Sequence, residues 1–349
     1  MRDISAYLRS MLTQGRASGC FPSAAVAVGA KDAVLGQAFI GEAPLPGGAP
    51  VDAHTRYDMA SLSKVLGTTM VALKAIEAGG LHLDDTVGGI FPQAPADKRD
   101  ITVFMLMTHT GGFHPSFRLD HLLTDPGQAV DCILRHPLED RPGTRPIYSC
   151  MGYILLGKML EKIYGQPLKD LAADRVFSPL GMTETGYCPA PGPVFAATEV
   201  DPATGQPWIG VVHDENARFL GGNSGNAGVF MPLCDGIAFA KMLATGGGGF
   251  LRPDTLRQAT GNYTPGQDAH RGLGFQIAGT PDCFFSAQVP DHCFGHTGFT
   301  GTSLMVEPET GFWVILLTNR VYPTRDSAAL FPFRRQLHGE CWHMFLEGR

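Results

Sequence analysis

Two residues near the start of a helical pattern could form a nucleophile and its base. Ser61 and Lys64 stand three positions apart where helical periodicity begins, so both side chains would lie on one face of the helix. A serine hydroxyl is a weak nucleophile and needs a nearby base. A lysine amine can be that base where burial disfavours its charged form. The pair therefore indicates nucleophilic catalysis, with an exposed lysine beside a capping serine as the alternative interpretation.

A second motif, Tyr148-Ser149-Cys150, stands directly before another helical pattern at 151–164. A phenol has an ordinary pKa near 10, so it relays protons only where a cation or hydrogen bonds assist it. The alternative is that Tyr148 packs against the start of the helix while Ser149 caps it. Taken alone, this motif does not distinguish the two interpretations.

The third motif, His296-Thr297-Gly298, precedes two apolar strand patterns. A glycine at a strand edge allows a ligand to approach the backbone closely. Backbone N–H groups at such an edge can stabilise an oxyanion. A glycine-rich turn is the alternative, because Gly295 and Gly301 flank the motif.

Together the three motifs resemble those of the serine β-lactamase and penicillin-binding-protein superfamily, in which S-x-x-K is followed by a middle motif and by K-T-G. The tyrosine in the middle motif is similar to the branch that contains class C β-lactamases, DD-peptidases and carboxylesterases. Further segments that resemble this branch are 57–60 (YDMA), 106–112 (LMTHTGG), 212–217 (VHDENA), 220–222 (LGG) and 227–230 (AGVF). The resemblance thus extends over most of the chain.

This resemblance implies a catalytic role for several residues. Ser61 would be the acylated nucleophile, and Lys64 would help to deprotonate it. Tyr148 would act with Lys64 as the general base and would then protonate the leaving group. The backbone N–H groups of Ser61 and Phe299 would form the oxyanion hole. Water would release the acyl group in a second step.

The substrate-binding residues implied by the resemblance are Cys150, His296, Thr297 and Gly298, and two of them depart from the pattern of the branch. Cys150 replaces an asparagine that contacts the substrate amide and the lysine, and a thiol is a weak hydrogen-bonding group. His296 replaces a lysine, so a fixed positive charge is lost unless the imidazole is protonated near its ordinary pKa of about 6.5. Both changes favour an ester or amide of a less acidic substrate over a β-lactam.

Strand patterns lie near both ends of the chain, and helical patterns lie mostly between them. The predicted strands are 24–28, 33–35, 272–277, 303–306 and 312–317, and the predicted helices are 3–17, 60–78, 101–107, 151–164, 233–244 and 327–347. We expect an α/β (α+β) fold that is β-lactamase-like, with an antiparallel sheet built from both termini and flanked by helices. Residues 1–55 and 265–349 would form the sheet domain, and 56–264 a largely helical inserted domain. The active site would lie in the cleft between them.

The composition excludes several classes of function. The chain has 349 residues, of which 44% are apolar and 17% charged, and its net charge is -6. A disordered chain is therefore excluded, and nucleic-acid or membrane binding through a basic surface is not expected. The eight cysteines form no C-x-x-C pair, and no apolar leader is visible. We interpret the protein as cytoplasmic with reduced thiols, although removal of a leader would leave the same sequence.

Neither a metal nor another cofactor is expected. His213 and Asp214 are adjacent, and adjacent side chains point in different directions on a helix or strand. The expected partner is a small-molecule ester, amide or β-lactam-like substrate, with no nucleic acid and no membrane. The oligomeric state stays open.

The leading hypothesis is a serine hydrolase, most simply of esterase type, that forms an acyl-Ser61 intermediate. A DD-carboxypeptidase or a β-lactamase is the alternative within the same enzyme class. A catalytically silent binding or structural protein on the same fold is the alternative from another class, and Cys150 is the reason to consider it.

Overall fold

The computed structural model describes residues 3–190, 192, 194–281 and 283–348. The strands are β1 (Ala24–Ala30), β2 (Ala33–Ile40), β3 (Glu42–Ala43), β4 (Ala49–Pro50), β5 (Tyr57–Asp58), β6 (Gly186–Tyr187), β7 (Val229–Met231), β8 (Gln276–Ile277), β9 (Phe294–Thr297), β10 (Ser303–Glu307) and β11 (Phe312–Thr318). The α-helices are α1 (Ile4–Ala17), α2 (Met70–Glu77), α3 (Val87–Ile90), α4 (Val103–Met107), α5 (Ala129–Arg135), α6 (Cys150–Tyr164), α7 (Leu168–Ala172), α8 (Glu215–Phe219), α9 (Leu233–Ala244), α10 (Pro253–Ala259) and α11 (Leu330–Glu347).

Strands from both ends of the chain form one antiparallel sheet, in the order β2-β1-β11-β10-β9-β8. Within this sheet β1 pairs with β11, from Ala24 opposite Thr318 to Ala30 opposite Phe312. This pairing confirms the predicted sheet built from the two termini. β8 is shorter than the predicted strand 272–277, because Gly274 has a φ of 85° and a left-handed residue interrupts an extended strand.

Both faces of the sheet are covered, which explains why its central strands are almost wholly apolar. Along β11 the side chains alternate between two cores. Val314 and Leu316 pack in the core that contains residues of α1 and α11. Trp313 and Ile315 pack in the larger core that the intervening helices share. The sheet is therefore flanked by helices, as the sequence predicts.

Side-chain caps define several helices where the sequence predicts them. The Ser149 hydroxyl accepts a hydrogen bond from the Gly152 N–H at 3.1 Å, and Gly165 ends α6 with a φ of 65°. Thr102 caps α4 in the same way, accepting from the Met105 N–H at 3.2 Å. These are the N-cap and C-cap geometries that serine, threonine and glycine favour.

The predicted helix 60–78 is divided into three segments. A 3-10 turn covers Ala60–Leu62, a π-helical segment covers Lys64–Thr69, and α2 follows. π-Helical segments are uncommon and occur frequently at functional sites. The apolar spacing of the sequence matches all three segments, so it could not separate them.

The segment between β2 and β8 contributes most of the helices and two small sheets, β3-β4 and β5-β7-β6. The division of the chain into a sheet domain and a helical domain, with boundaries at 55/56 and 264/265, stays a prediction. None of the helices in the described part of the chain has the length and apolar character needed to cross a bilayer.

Candidate active site

Ser61 and Lys64 are in contact. The Lys64 Nζ donates a hydrogen bond to the Ser61 Oγ at 3.0 Å and another to the Asn226 carbonyl oxygen at 2.9 Å. The Cys150 Sγ lies 3.6 Å from the same nitrogen. An ammonium group has three donors, so Lys64 can contact all three of these groups at once.

The backbone immediately before the nucleophile is strained. Ala60 has a φ of 44°, which is unusual for a residue with a Cβ and is found preferentially at functional sites. Buried Asp58 holds this conformation, because its Oδ1 accepts from the Ala60 N–H at 2.8 Å. Its other oxygen accepts from the His213 N–H at 2.6 Å. Burial raises the pKa of Asp58 to about 6, although both hydrogen bonds favour its ionised form.

The charge state of Lys64 depends on two opposing effects. Complete burial favours the neutral amine, whereas the neighbouring Cys150 and Tyr148 groups favour the ammonium. The second effect is larger, so the pKa of Lys64 lies above its ordinary value. Lys64 is therefore a hydrogen-bond donor to the Ser61 Oγ in the resting site. The role of Lys64 in deprotonating Ser61 stays a prediction.

Tyr148 lies close to two cationic side chains of the site. Its Oη is buried and has no hydrogen-bond partner in the described ranges. The Lys64 Nζ lies 5.0 Å from the centroid of its ring, and the guanidinium carbon of Arg271 lies 5.2 Å from it. The phenol is thus flanked by two cations, the assistance that proton relay by a tyrosine requires.

His109 holds the backbone on both sides of Tyr148. Its carbonyl oxygen accepts from the Ile147 N–H at 2.8 Å, and its Nδ1 accepts from the Ser149 N–H at 3.1 Å. Because Nδ1 accepts, the proton of the neutral ring is on Nε2. Burial, followed by the charges of Arg271 and Lys64, lowers its pKa well below the ordinary value.

His296, on β9, presents a lone pair to the site. Its Nδ1 lies 2.8 Å from the Thr297 carbonyl oxygen, so Nδ1 carries the proton and Nε2 is an acceptor. The Nε2 is buried without a partner among the residues described. Burial, then the charges of Lys64 and Arg271, lowers the pKa of His296 to about 3. The expectation that protonation near pH 6.5 restores a positive charge here is therefore wrong.

Gly298 is required by packing. A Cβ at this position would lie 2.3 Å from the Met59 carbonyl oxygen and 2.2 Å from the Thr302 Oγ1. The end of β9 therefore lies directly against the segment that carries Ser61. The backbone N–H of the next residue, Phe299, makes no hydrogen bond within the described ranges.

The motif residues meet at one cavity of about 250 Å³. The predicted residues that line it are Ser61, Tyr148, His296, Thr297, Gly298 and Phe299. Cys150 is not part of this lining, because its thiol lies beside Lys64 instead. The predicted substrate contact at Cys150 stays a prediction.

Sequence reasoning missed the arginines of this cavity. Arg271, Arg320 and Arg334 line it together with the motif residues. They come from three distant segments and belong to none of the motifs, so the sequence carries no local signal for them.

Comparisons with known proteins agree with this architecture. The family model described as Beta-lactamase matches residues 8–338. An Escherichia coli K12 protein named "Putative D-alanyl-D-alanine carboxypeptidase" is 32% identical over 310 residues, which cover 78% of this chain and 71% of that protein.

Two solved structures have the same fold. One is "EstCE1, a hydrolase with promiscuous acyltransferase activity", with a TM-score of 0.76, 22% identity, and coverage of 97% of this chain and 99% of that one. The other is the octameric penicillin-binding protein homologue from Pyrococcus abyssi, with a TM-score of 0.74, 20% identity, and coverage of 95% and 77%. At these identities the likeness shows the fold alone. The family match and the Escherichia coli relative show that the chain belongs to the beta-lactamase family, within the serine β-lactamase and penicillin-binding-protein superfamily.

Proposed function

We propose that the protein hydrolyses an ester through an acyl-Ser61 intermediate. The observation that supports this most directly is the hydrogen bond from Lys64 Nζ to Ser61 Oγ at 3.0 Å, at the edge of a cavity that Tyr148 also lines. The family of serine hydrolases to which the chain belongs is consistent with this reaction.

In the acylation step, Tyr148 acts in its phenolate form, and the Ser61 Oγ bonds to the carbonyl carbon of the ester while its proton moves to the phenolate oxygen. The carbonyl oxygen becomes an oxyanion, which the backbone N–H groups of Ser61 and Phe299 would stabilise. The positive charge of Lys64 stabilises the phenolate form of Tyr148 before it accepts the proton. When the carbonyl re-forms, the bond to the alkoxy oxygen breaks and that oxygen takes the proton from Tyr148.

Deacylation repeats these steps with water as the nucleophile. Tyr148 accepts a proton from the water molecule while the water oxygen bonds to the acyl carbon. The bond to the Ser61 Oγ then breaks, and Ser61 recovers its proton. The net reaction adds one water molecule and yields a carboxylic acid and an alcohol, without a change in oxidation state.

Cys150 favours an ester over an amide. Its thiol lies against Lys64 and offers a substrate amide little hydrogen bonding. The name of the Escherichia coli relative and the description of the family model support a second candidate, which is a DD-carboxypeptidase or a β-lactamase with the same nucleophile.

A fluorophosphonate probe and two substrates test the proposal. We expect mass spectrometry of the folded protein to place the adduct on Ser61, with peptide fragmentation separating it from Ser63. Ser61→Ala should abolish both labelling and the turnover of 4-nitrophenyl acetate. Turnover of nitrocefin faster than of the nitrophenyl ester would favour the second candidate. A wild-type protein with neither adduct nor turnover would be a catalytically silent member of the family.

A further inference from the structure

Three arginines of the active-site cavity are buried without an acidic partner. Arg271, Arg320 and Arg334 are 9%, 4% and 6% exposed, and none of them forms an ion pair with a carboxylate in the part of the chain that the structure describes. Arg325, by contrast, pairs with both Glu199 and Glu215. A buried charge without a partner carries a large desolvation cost.

The guanidinium groups have donors to spare. Arg320 donates from Nε to the Phe299 carbonyl oxygen at 2.8 Å, and from Nη1 to the carbonyl oxygen of Ser327 at 2.8 Å. The Nε atoms of Arg271 and Arg334 are buried without partners. No side-chain hydrogen bond from either residue occurs within the described ranges. Two side chains that are nine-tenths buried therefore line the cavity with unused donors.

Aromatic rings hold these cations around the cavity. The guanidinium carbons of Arg320 and Arg334 lie 5.2 Å and 5.7 Å from the centroid of the Phe331 ring. Arg271 is held in the same way against the ring of Tyr148. Phe331 and Tyr148 both line the cavity with Ser61, so the three charges border the space next to the nucleophile.

We propose that this cavity binds a substrate with a doubly charged anionic group, either a phosphate or a pair of carboxylates. The inference rests on the proposed acyl-Ser61 reaction and names the substrate class for it. Guanidinium groups bind carboxylates and phosphates with paired hydrogen bonds. A single negative charge would leave two of the three arginines uncompensated. The replacement of a lysine by His296 therefore does not indicate a less acidic substrate, because Arg271, Arg320 and Arg334 supply the positive charge.

Competition at Ser61 tests this inference with simple anions. The rate of labelling by a neutral fluorophosphonate is measured with inorganic phosphate, malonate, acetate and chloride at equal ionic strength. We expect phosphate or malonate to slow labelling about tenfold at saturation and to raise Tm, and acetate and chloride to do neither. Calorimetry then shows which of phosphate and malonate binds more tightly, and therefore whether the two charges come from one phosphate or from two carboxylates. Equal effects of acetate and malonate would contradict the double charge.

Variants assign the effect to the arginines. Arg271→Gln and Arg334→Gln should each raise the calorimetric Kd of the binding anion about tenfold or more. Arg335→Gln is the matched control, because it removes the same charge one residue further along α11, where the side chain is exposed. Arg334→Lys should recover part of the affinity. Without ligand, the Tm of Arg334→Gln should not fall, since an unpaired buried charge is removed, whereas a purely structural arginine would lower it.

The two proposals can fail separately. Labelling of Ser61 that no anion slows, together with no calorimetric binding of phosphate or malonate, would overturn the anion site and leave the hydrolase intact. Anion binding that depends on Arg334 in a protein that is never labelled would overturn the hydrolase and keep the site.

Discussion

At the residue scale, the exchange of a lysine for His296 changes the kind of hydrogen bond that the strand offers. A lysine only donates, whereas the neutral imidazole with its proton on Nδ1 presents an acceptor at Nε2. A substrate hydroxyl can donate to this nitrogen, which has no partner among the described residues. Positive charge comes instead from the arginines around the cavity.

The low pKa of His296 predicts the pH dependence of the reaction. Because that pKa is about 3, the ring stays neutral from pH 5 to 8 and adds no inflection to kcat/KM there. We expect profiles of wild type and His296→Gln for 4-nitrophenyl acetate to differ in height, but to have the same midpoints. An inflection near pH 6.5 that disappears in the variant would contradict this expectation.

Cys150 predicts a gain of function against β-lactams. An asparagine in its place would put a strong hydrogen-bonding group beside Lys64 and within reach of a substrate amide. One added hydrogen bond contributes about 1 kcal/mol. We therefore expect Cys150→Asn to acylate about threefold to tenfold faster with nitrocefin.

The control for this prediction is Cys150→Ser, which makes the side chain more polar but carries no amide group. It should leave the nitrocefin rate closer to that of the wild type. Equal rates for Cys150→Asn and the wild type would show that Cys150 does not set the substrate preference.

At the scale of elements, regular segments were predictable and irregular ones were not. The apolar runs of β10 and β11 and the caps of α4 and α6 are local patterns, and the structure shows them at or within a few residues of the predicted positions. The 3-10 turn at Ser61 and the strained Ala60 depend on Asp58 and on contacts with distant segments. Such tertiary contacts leave no periodic trace in the sequence.

The clamp that His109 forms around Tyr148 gives a prediction for the connection before α6. His109→Ala removes the acceptor for the Ser149 N–H, at a position whose backbone already has a strained φ of 59°. Tyr148 should then be less well positioned. We expect kcat for 4-nitrophenyl acetate to fall about tenfold or more, with a smaller change in KM.

Two further variants separate positioning from general damage. Asparagine tolerates a positive φ and offers an acceptor oxygen, so His109→Asn should recover part of kcat. In His114→Ala the backbone carbonyl that accepts from the Ser149 hydroxyl remains, and we expect a smaller loss. If His109→Asn were as slow as His109→Ala, the proposed hydrogen-bond clamp would be refuted.

At the scale of the whole molecule, the site depends on the meeting of distant parts of the chain. The sequence predicts the sheet because its strands are strongly apolar, and the motifs indicate the nucleophile. The arginine cluster requires three parts of the chain to come together: the loop before β8, the segment just after β11 and the second turn of α11. Only the folded chain shows that Arg271, Arg320 and Arg334 share one cavity.

Buried neutral histidines make the whole molecule sensitive to acid. Burial, followed by the charge of Arg334, lowers the pKa of His338 to about 3, and His296 has a similar value. In the unfolded chain these rings have their ordinary pKa near 6.5. Between pH 6.5 and 3 the unfolded state therefore binds more protons, so stability is complete above pH 6.5 and falls as the pH falls through this window.

The variant His338→Gln removes one of these two titratable side chains and so measures its share of the pH dependence. Each proton that the unfolded state binds and the folded state does not adds about 1.4 kcal/mol per pH unit to the slope of the free energy of unfolding against pH. Urea unfolding at pH 6, 5 and 4 should therefore give a slope for His338→Gln that is shallower than the wild-type slope by about that amount. His343→Gln, at an exposed position on the same helix, should retain the wild-type slope. If both variants had the wild-type slope, His338 would already be protonated in the folded protein. A second buried cation beside Arg334 would then need an anionic partner, which the described residues do not supply.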